Sequence, residues 1–191
     1  MSGAGLERRL ADILRQAPSL MGVMETARDL GLPDWMIFSG AIYQKALNHL
    51  SGRDPDHGLK DYDLAYFDAA DLSYEAEDVV IRRVAAAFPP PLDEMVEVRN
   101  QARVHLWFED RFGEAYAPLS GSAEALSRFT ATMFAVGARL EADGEISIFA
   151  PFGLEDLFAL RLRPNPTRRT AGFRRTAEAA KARWPELVIL D

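Results

Sequence analysis

The chain contains, at positions 60–68, the stretch Lys60-Asp61-Tyr62-Asp63-Leu64-Ala65-Tyr66-Phe67-Asp68. Successive residues of a β-strand point to opposite faces of the sheet, so this alternation predicts a strand with its large apolar residues on one face. Asp61 and Asp63 share the other face, and at about 3.3 Å rise per residue their α-carbons lie roughly 6.6 Å apart. Two carboxylates at that spacing can hold one divalent cation or bridge two, and hard oxygen ligands suit Mg²⁺ or Mn²⁺. Two alternatives stay open: an edge strand whose acids are merely solvated, or a strand start at which Asp61 belongs to the preceding turn.

Composition places the chain among ordinary soluble globular proteins. It has 191 residues, of which 48% are hydrophobic, so it can bury a core and is predicted to form one domain over residues 1–191. The start of the chain has no apolar signal-peptide region, and no segment approaches the roughly 20 apolar residues that span a bilayer, so no membrane partner is expected. The absence of cysteine excludes disulfides and thiol nucleophiles and fits a cytoplasmic protein.

Charge is distributed unevenly along the chain. Residues 161–183 contain eight Lys or Arg against a single acid, so this basic segment carries a net +7, whereas the whole chain carries −7 and the remainder −14. Such a split suggests a basic element that faces either the phosphates of a partner, RNA included, or the acidic site itself. The alternative is a solvated, arginine-rich helix face.

The remaining patterns predict an α/β (α+β) fold in which a mixed central sheet is flanked by helices. Helical spacing of apolar residues predicts N-terminal packing helices in residues 1–30. A core is expected over residues 35–160, followed by a basic, helical C-terminal extension over 161–191. The individual elements predicted are a strand at 35–38 leading into a helix, extended chain over 95–108, strands at 132–140 and 146–149, a helix from 151 to 161 and a last helix over 172–184.

A second feature lies about twenty residues upstream of the acidic stretch. The apolar run 35–38 ends at Ser39 and Gly40 and is followed at once by helical spacing, which predicts a strand, a tight turn and a helix. The first N–H groups of such a helix point at an anion, and glycine lets a phosphate approach where a side chain would block it. We therefore expect Ser39, Gly40 and Ala41 to bind the phosphates of a nucleoside triphosphate whose metal ions the acidic pair holds.

This pairing of a glycine-containing turn with an Asp-x-Asp strand resembles the polymerase-beta-like nucleotidyltransferase superfamily. More narrowly, residues 35–184 are similar to a bacterial nucleotidyltransferase-like family. The narrower resemblance rests on five segments in order, namely 39–41, 61–68, 100–107, 150–157 and 163–165. It implies a transferase that moves a nucleoside monophosphate from a triphosphate to an unknown hydroxyl acceptor with magnesium or manganese.

The resemblance also implies a third carboxylate on a neighbouring strand, acting as base or metal ligand. Glu97, flanked by two valines, is the first candidate, and His105 is its rival as proton acceptor. On a strand, Arg103 and Trp107 share the face of His105 and offer a phosphate contact and a stacking surface for a base. A structural histidine and simple core packing of Trp107 are the alternatives.

Two departures from the superfamily pattern bear on activity. Ala41 follows Gly40 where a second glycine or a serine is usual, so one phosphate-binding hydroxyl is absent there unless Ser39 supplies it from the preceding position. A second departure is that no residue is obvious as the third carboxylate, for which Glu97 is only the first candidate. A chain that kept the fold after losing the full acidic triad would be a catalytically inactive nucleotide- or anion-binding module. This module and an RNA-binding partner that uses the basic segment are the alternatives to an enzyme.

Overall fold

The computed structural model of the chain describes residues 3–168, 170 and 172–191, and Arg169 of the basic segment lies outside the described residues. The helices are α1 (Gly3–Arg15), α2 (Pro18–Leu30), α3 (Gly40–Ser51), α4 (Tyr74–Ala87), α5 (Leu92–Met95), α6 (Phe108–Phe112), α7 (Ser122–Leu126), α8 (Glu155–Phe158) and α9 (Phe173–Arg183). The strands are β1 (Met36–Phe38), β2 (Tyr62–Tyr66), β3 (Val96–Asn100), β4 (Gly137–Leu140), β5 (Ile146–Phe149), β6 (Arg161–Leu162) and β7 (Val188–Ile189). Short 3₁₀ helices span Gln101–Leu106 and Thr132–Phe134. Of the helices among these residues, none combines the length and apolarity needed to span a bilayer.

Within the described residues, a five-stranded mixed sheet has the strand order β3-β2-β1-β4-β5. β1 runs antiparallel to both of its neighbours, β2 and β4, whereas β2 and β3 are parallel. The predicted α/β (α+β) fold with a mixed sheet flanked by helices is thereby confirmed. The register places Asp63 of β2 beside Phe38 of β1 on one side and beside Glu97 of β3 on the other.

The two faces of the sheet pack against different parts of the chain. Tyr62 and Leu64 of β2 point into the main apolar core, which buried residues of α1, α2 and α3 complete. Ala65 points the other way, into a smaller apolar cluster that includes Phe38 of β1. The alternation predicted for the acidic stretch is therefore confirmed. Because Asp63 has the same parity as Ala65, its side chain emerges on the face with the smaller cluster.

The prediction of extended chain over 95–108 is wrong beyond Asn100. The strand ends there because the Asn100 side chain turns the backbone, its Oδ1 accepting hydrogen bonds from the N–H groups of Ala102 and Asp68. The chain continues as the 3₁₀ helix Gln101–Leu106, in which side chains no longer alternate between two faces. The prediction that Arg103, His105 and Trp107 share one face of a strand is therefore wrong.

Two further elements are shorter than predicted. The strand 132–140 is confirmed only for β4, because its first residues form a 3₁₀ helix in which the N–H of Thr132 donates to the carbonyl of Arg163. The helix 151–161 is confirmed only for α8, since Leu160 adopts a φ of 55°, outside the region that a right-handed helix occupies. In both segments a hydrogen bond to a residue distant in sequence accompanies the break in the predicted element: Thr132 donates to Arg163, and Leu160 accepts from Val188.

The C-terminal part of the chain packs onto the main core. The predicted helix 172–184 is confirmed as α9, whose buried residues Phe173, Ala177 and Ala180 belong to the main apolar cluster. Trp184 follows directly and is 1% exposed. Its indole N–H donates to the side-chain oxygen of Asn48 on α3, which ties the end of α9 to the helix that follows β1.

Candidate active site

The turn between β1 and α3 presents backbone donors at the end of the sheet. Ser39 has φ 45° and ψ −107°, and a positive φ is uncommon for a residue other than glycine. Its own N–H donates to the carbonyl of Val136, and its carbonyl accepts from the first turn of α3. Within the described residues, the N–H groups of Gly40 and Ala41 donate to no acceptor. The start of α3 therefore has the free donors that anion binding at a helix N-terminus requires.

Asp61 and Asp63 lie at the start of β2, directly beside this turn. Asp61 is the last residue before the strand, and Asp63 pairs with Phe38 of β1. Phe38 is the last residue of β1, so the turn of Ser39 and Gly40 begins directly beside the start of β2. On the other side of β2, Glu97 pairs with Asp63 in the parallel register of β3. The turn after β1, the acidic pair at the start of β2 and Glu97 on β3 thus lie on three adjacent strands.

Repulsion among these acids alters the proton affinity of Asp63. Burial among protein atoms and then the charges of Asp61 and Glu97 raise the pKa of this carboxyl to about 6, and the guanidinium of Arg99 opposes them. The Asp63 residue is nevertheless exposed at the mouth of a cavity, so we give the repulsion more weight than the desolvation. Arg99 lies 3.8 Å from Glu97 and offsets only part of the negative charge. A bound cation would relieve what remains.

Tyr43 also lies near the acids, although no sequence pattern marked it as a site residue. It follows the free N–H groups by about one turn of α3 and is 7% exposed. Burial raises the pKa of its hydroxyl, whereas the neighbouring Gln44 amide and the charge of Arg183 lower it. The charges of Asp63 and Asp61 raise it as well. A phenol therefore stands close to the place expected for phosphate oxygens.

A cavity of about 440 Å³ opens on the face of the sheet that carries Asp63. Asp63 and Glu97 line part of it, and most of its wall comes from segments distant in sequence. Its aromatic residues are Phe38, Trp107, Phe108, Phe112, Tyr116 and Phe129. Its cationic residues are Arg99, Arg128, Arg168 and Arg175. Two arginines of the basic segment, Arg168 and Arg175, therefore line the same cavity as Asp63 and Glu97.

Arg103 is held by α4 instead of lining the cavity. It is 8% exposed, its guanidinium forms an ion pair with Glu77, and its Nε donates to the carbonyl of Leu72. Glu77 is 5% exposed and also accepts a hydrogen bond from the N–H of Asn100. A guanidinium with these partners ties the end of β3 to α4, so the phosphate contact predicted for Arg103 has a competing structural role.

The structure separates His105 from the other candidates as well. The Nδ1 of His105 is buried without a hydrogen-bond partner in the described part of the chain, and His105 is not among the residues that line the cavity. Trp107 does line it. Of the predicted site residues, the structure therefore brings together Asp61, Asp63 and Glu97 beside the turn of Ser39, Gly40 and Ala41, with Trp107 on the cavity wall.

Sequence reasoning missed most of the cavity wall. The four-residue spacing of Phe108, Phe112 and Tyr116 was the available signal for an aromatic surface. Arg168 and Arg175 were noticed only as members of the basic segment. No local pattern could show that these two groups converge, because tertiary packing alone brings them to the same cavity.

The acidic pair fits a hard divalent cation, although no complete protein cage surrounds it. In the ranges that the structure describes, no group of three or more histidine, aspartate or glutamate side chains stands in position to hold a metal ion. Mg²⁺, however, usually takes only one or two protein carboxylates and completes its octahedron with water and substrate phosphate oxygens. Asp61 and Asp63 supply such a pair. Burial and then the charges of Asp61 and Glu97 raise the pKa of Asp63, and a cation would neutralise those charges.

Comparison with known proteins adds two findings. A family model described as nucleotidyltransferase matches residues 25–189. An NMR structure described as revealing a CCA-adding enzyme head domain is similar with a TM-score of 0.77, covering 96% of this chain and 95% of the other at 24% sequence identity. That likeness concerns the fold. No curated protein matches the chain significantly.

Proposed function

The chain belongs to the nucleotidyltransferase family, as its resemblance predicted, and on that premise we propose that it transfers a nucleoside monophosphate from a triphosphate to a hydroxyl acceptor in a metal-dependent reaction. One observation carries this proposal: Glu97 pairs with Asp63 across adjacent strands, and both residues line the same cavity. With Asp61, they supply the acids that such a transfer uses, two for metal and one for the proton.

The triphosphate would lie at the start of α3. The free N–H groups of Gly40 and Ala41 would donate to its β- and γ-phosphates, and the hydroxyl of Ser39 stands at the same turn. Tyr43 would add a hydroxyl beside them. These contacts hold the end of the substrate that leaves as pyrophosphate.

Asp61 and Asp63 would hold Mg²⁺ or Mn²⁺ between β2 and the phosphates. The metal would neutralise charge on the transferred phosphoryl group and align the reacting oxygens. The chain's own contribution is to keep two carboxylates at one place in spite of their repulsion. Pairing of β2 with β1 and β3 fixes the direction of Asp63, and Asp61 directly precedes that strand.

Glu97 is the residue best placed to take the proton of the acceptor hydroxyl. As the hydroxyl oxygen forms its bond to the α-phosphorus, the bond from that phosphorus to the bridging oxygen breaks and pyrophosphate departs. The hydroxyl proton passes to the Glu97 carboxylate, so charge and atoms balance. This step uses neither Arg103 nor His105, which lie away from the cavity lining.

A catalytically inactive nucleotide-binding module is the second candidate, and the contact between Glu97 and Arg99 favours it. A guanidinium 3.8 Å from the carboxylate competes with an acceptor hydroxyl for the Glu97 oxygens, and Ala41 supplies no hydroxyl to the phosphates. RNA binding through the basic segment receives less support, because three of its arginines form ion pairs within the chain, namely Arg163, Arg168 and Arg174.

Binding and transfer experiments separate these candidates. Isothermal titration with Mg²⁺ and each nucleoside triphosphate is expected to detect binding to the wild type, and binding about tenfold weaker or more for Asp61→Asn and Asp63→Asn. Glu97→Gln is expected to bind within about threefold of the wild type but to transfer label from α-labelled triphosphate to a cell extract about 100-fold more slowly or worse.

Glu25→Gln is the matched control, because it removes one charge from an exposed position on α2. It is expected to change neither binding nor transfer. Triphosphate binding that survives both aspartate substitutions would refute the proposed site. Wild-type binding without transfer to any extract fraction would establish the inactive module instead.

A further inference from the structure

The cavity beside Glu97 has a surface suited to stacking. The ring centroid of Phe108 lies 4.7 Å from that of Phe112 and 4.5 Å from that of Tyr116, and Trp107 lies 6.1 Å from Phe108. Phe112 is 56% exposed, so the aromatic wall is accessible to a ligand. Aromatic rings left open at a cavity wall can stack on a planar molecule.

Arginines accompany the aromatic wall. The guanidinium of Arg168 lies 5.4 Å from the ring centroid of Phe108, and that of Arg128 lies 5.6 Å from that of Tyr116. Arg175 on α9 lines the same cavity and, within the part of the chain that the structure describes, forms no ion pair. Arg128 and Arg168 also form ion pairs with Glu124 and Glu114, so Arg175 is the cavity arginine for which the described residues offer no counter-ion. Stacked rings next to this guanidinium suit a ligand that is both planar and anionic.

The geometry of the reaction assigns this cavity to one of the two substrates. In transfer to an α-phosphorus, the entering oxygen and the departing pyrophosphate lie roughly in line on opposite sides of the phosphorus. The strand register places the turn at Gly40 on the β1 side of the acidic pair, and Glu97 on the β3 side. Pyrophosphate leaves toward the turn, so the acceptor enters from the side of Glu97, where the cavity lies.

We propose that the acceptor is a small molecule with a planar ring system, an anionic group and a hydroxyl. The rings stack on Trp107 and Phe108, the anion binds Arg128 and Arg175, and the hydroxyl meets Glu97. A cavity of about 440 Å³ lies in the size range of small-molecule sites. Its assignment to the acceptor rests on the proposed function, whereas the existence of an aromatic-anion site rests on the cavity alone.

Equilibrium binding of 1-naphthyl phosphate, measured without metal or nucleotide, tests the site. Arg175→Ala is expected to weaken binding about tenfold, and Arg174→Ala by less than about twofold. Arg174 is the matched control, because it lies on the same helix and pairs with Glu178 outside the cavity. Inorganic phosphate, which lacks rings, and 1-naphthylmethylamine, which reverses the charge, are each expected to bind about tenfold more weakly or worse. Equal affinities for the three probes, or equal effects of the two substitutions, would overturn the site.

A second titration decides which substrate the cavity holds. 1-Naphthyl phosphate is titrated in the presence of Mg²⁺ and a saturating non-hydrolysable α,β-methylene analogue of ATP, and its affinity is expected to stay within about threefold. Competition between the two would place the nucleotide base in the cavity and overturn the acceptor assignment. If a short single-stranded RNA displaces 1-naphthyl phosphate more strongly than the ATP analogue does, the cavity binds an RNA end and the small-molecule acceptor is overturned. If the analogue does not bind at all, the proposed function and the acceptor assignment both fail, while the first titration still decides the site itself.

Discussion

Substitution of Asp63 by asparagine is expected to stabilise the metal-free protein at neutral pH, although it removes a proposed metal ligand. The pKa of this carboxyl is raised from 3.8 to about 6, by burial first and then by the charges of Asp61 and Glu97. When folding raises the pKa of an acid, the unfolded chain ionises at lower pH than the folded one. Stability therefore falls as pH rises through this interval and stays low above it. Asparagine has nearly the same shape without the charge, so the variant escapes this loss.

The expected magnitude follows from the size of the pKa shift. A shift of about two units corresponds to about 3 kcal/mol if it acts in full. Because the Asp63 residue is exposed at the cavity mouth, water screens the repulsion, and we expect about 1 kcal/mol. The gain in free energy of unfolding of the asparagine variant over the wild type is thus near zero at about pH 3.5. It grows between about pH 4 and 6 and is complete at about pH 7.5.

Urea unfolding in the presence of a chelator, repeated across this pH range, measures the difference. Glu25→Gln removes a charge from an exposed position and is expected to change the free energy of unfolding by less than about 0.5 kcal/mol throughout. Added Mg²⁺ should make the wild type more stable than the Asp63 variant, because the wild type gains stability by binding the ion and the variant does not. If the asparagine variant and the wild type are equally stable at every pH, the three carboxylates do not repel one another and the argument for a cation between them fails.

Three further predictions concern the residues that support the site. Asn48→Leu removes two hydrogen bonds from its amide to the loop before β2 and the acceptor for the Trp184 indole, so urea unfolding should show a loss of about 3 kcal/mol. Gly58→Ala should lower the free energy of unfolding by about 1–2 kcal/mol in thermal melts, because its φ is +77° and a Cβ would lie 3.1 Å from Trp184. Arg103→Met leaves the Glu77 carboxylate buried without its partner and should destabilise by about 3–5 kcal/mol. Adding Glu77→Gln should recover part of that loss in a double-mutant cycle, and a double variant no more stable than the single one would contradict the argument from the buried charge.

The acidic strand could be predicted because its signal is local. A period of two decides the face that each side chain of β2 takes, and it placed Asp63 opposite the apolar residues without knowledge of any neighbour. The turn at Gly40 is local in the same sense, since a strand, a glycine and a helix follow one another within a few residues. Glu97 was chosen for its apolar neighbours, and the parallel register then brought it beside Asp63.

The predicted strand through Arg103 and His105 is wrong because local alternation competed with a distant partner. Apolar and polar residues alternate past Asn100 as they do in a strand, but the Asn100 side chain starts a turn there. Glu77, 26 residues earlier in the chain, then binds Arg103. A buried carboxylate on another helix leaves no trace in the pattern around its partner, so sequence periodicity alone could not identify this contact.

The division between local and distant determinants has a consequence for function. The acids lie on adjacent strands, and the ladder of backbone hydrogen bonds that fixes them cannot shift without breaking the sheet. Much of the cavity wall instead comes from residues outside the strands, which include Phe108 and Phe112 of α6 and, before α9, Arg168, Thr170 and Gly172. Substitutions there disturb few ladder hydrogen bonds, so such segments tolerate change better than the strands do. If the chain is the transferase proposed above, its acceptor choice can therefore change through positions such as Phe112 or Tyr116 while the acidic pair stays the same.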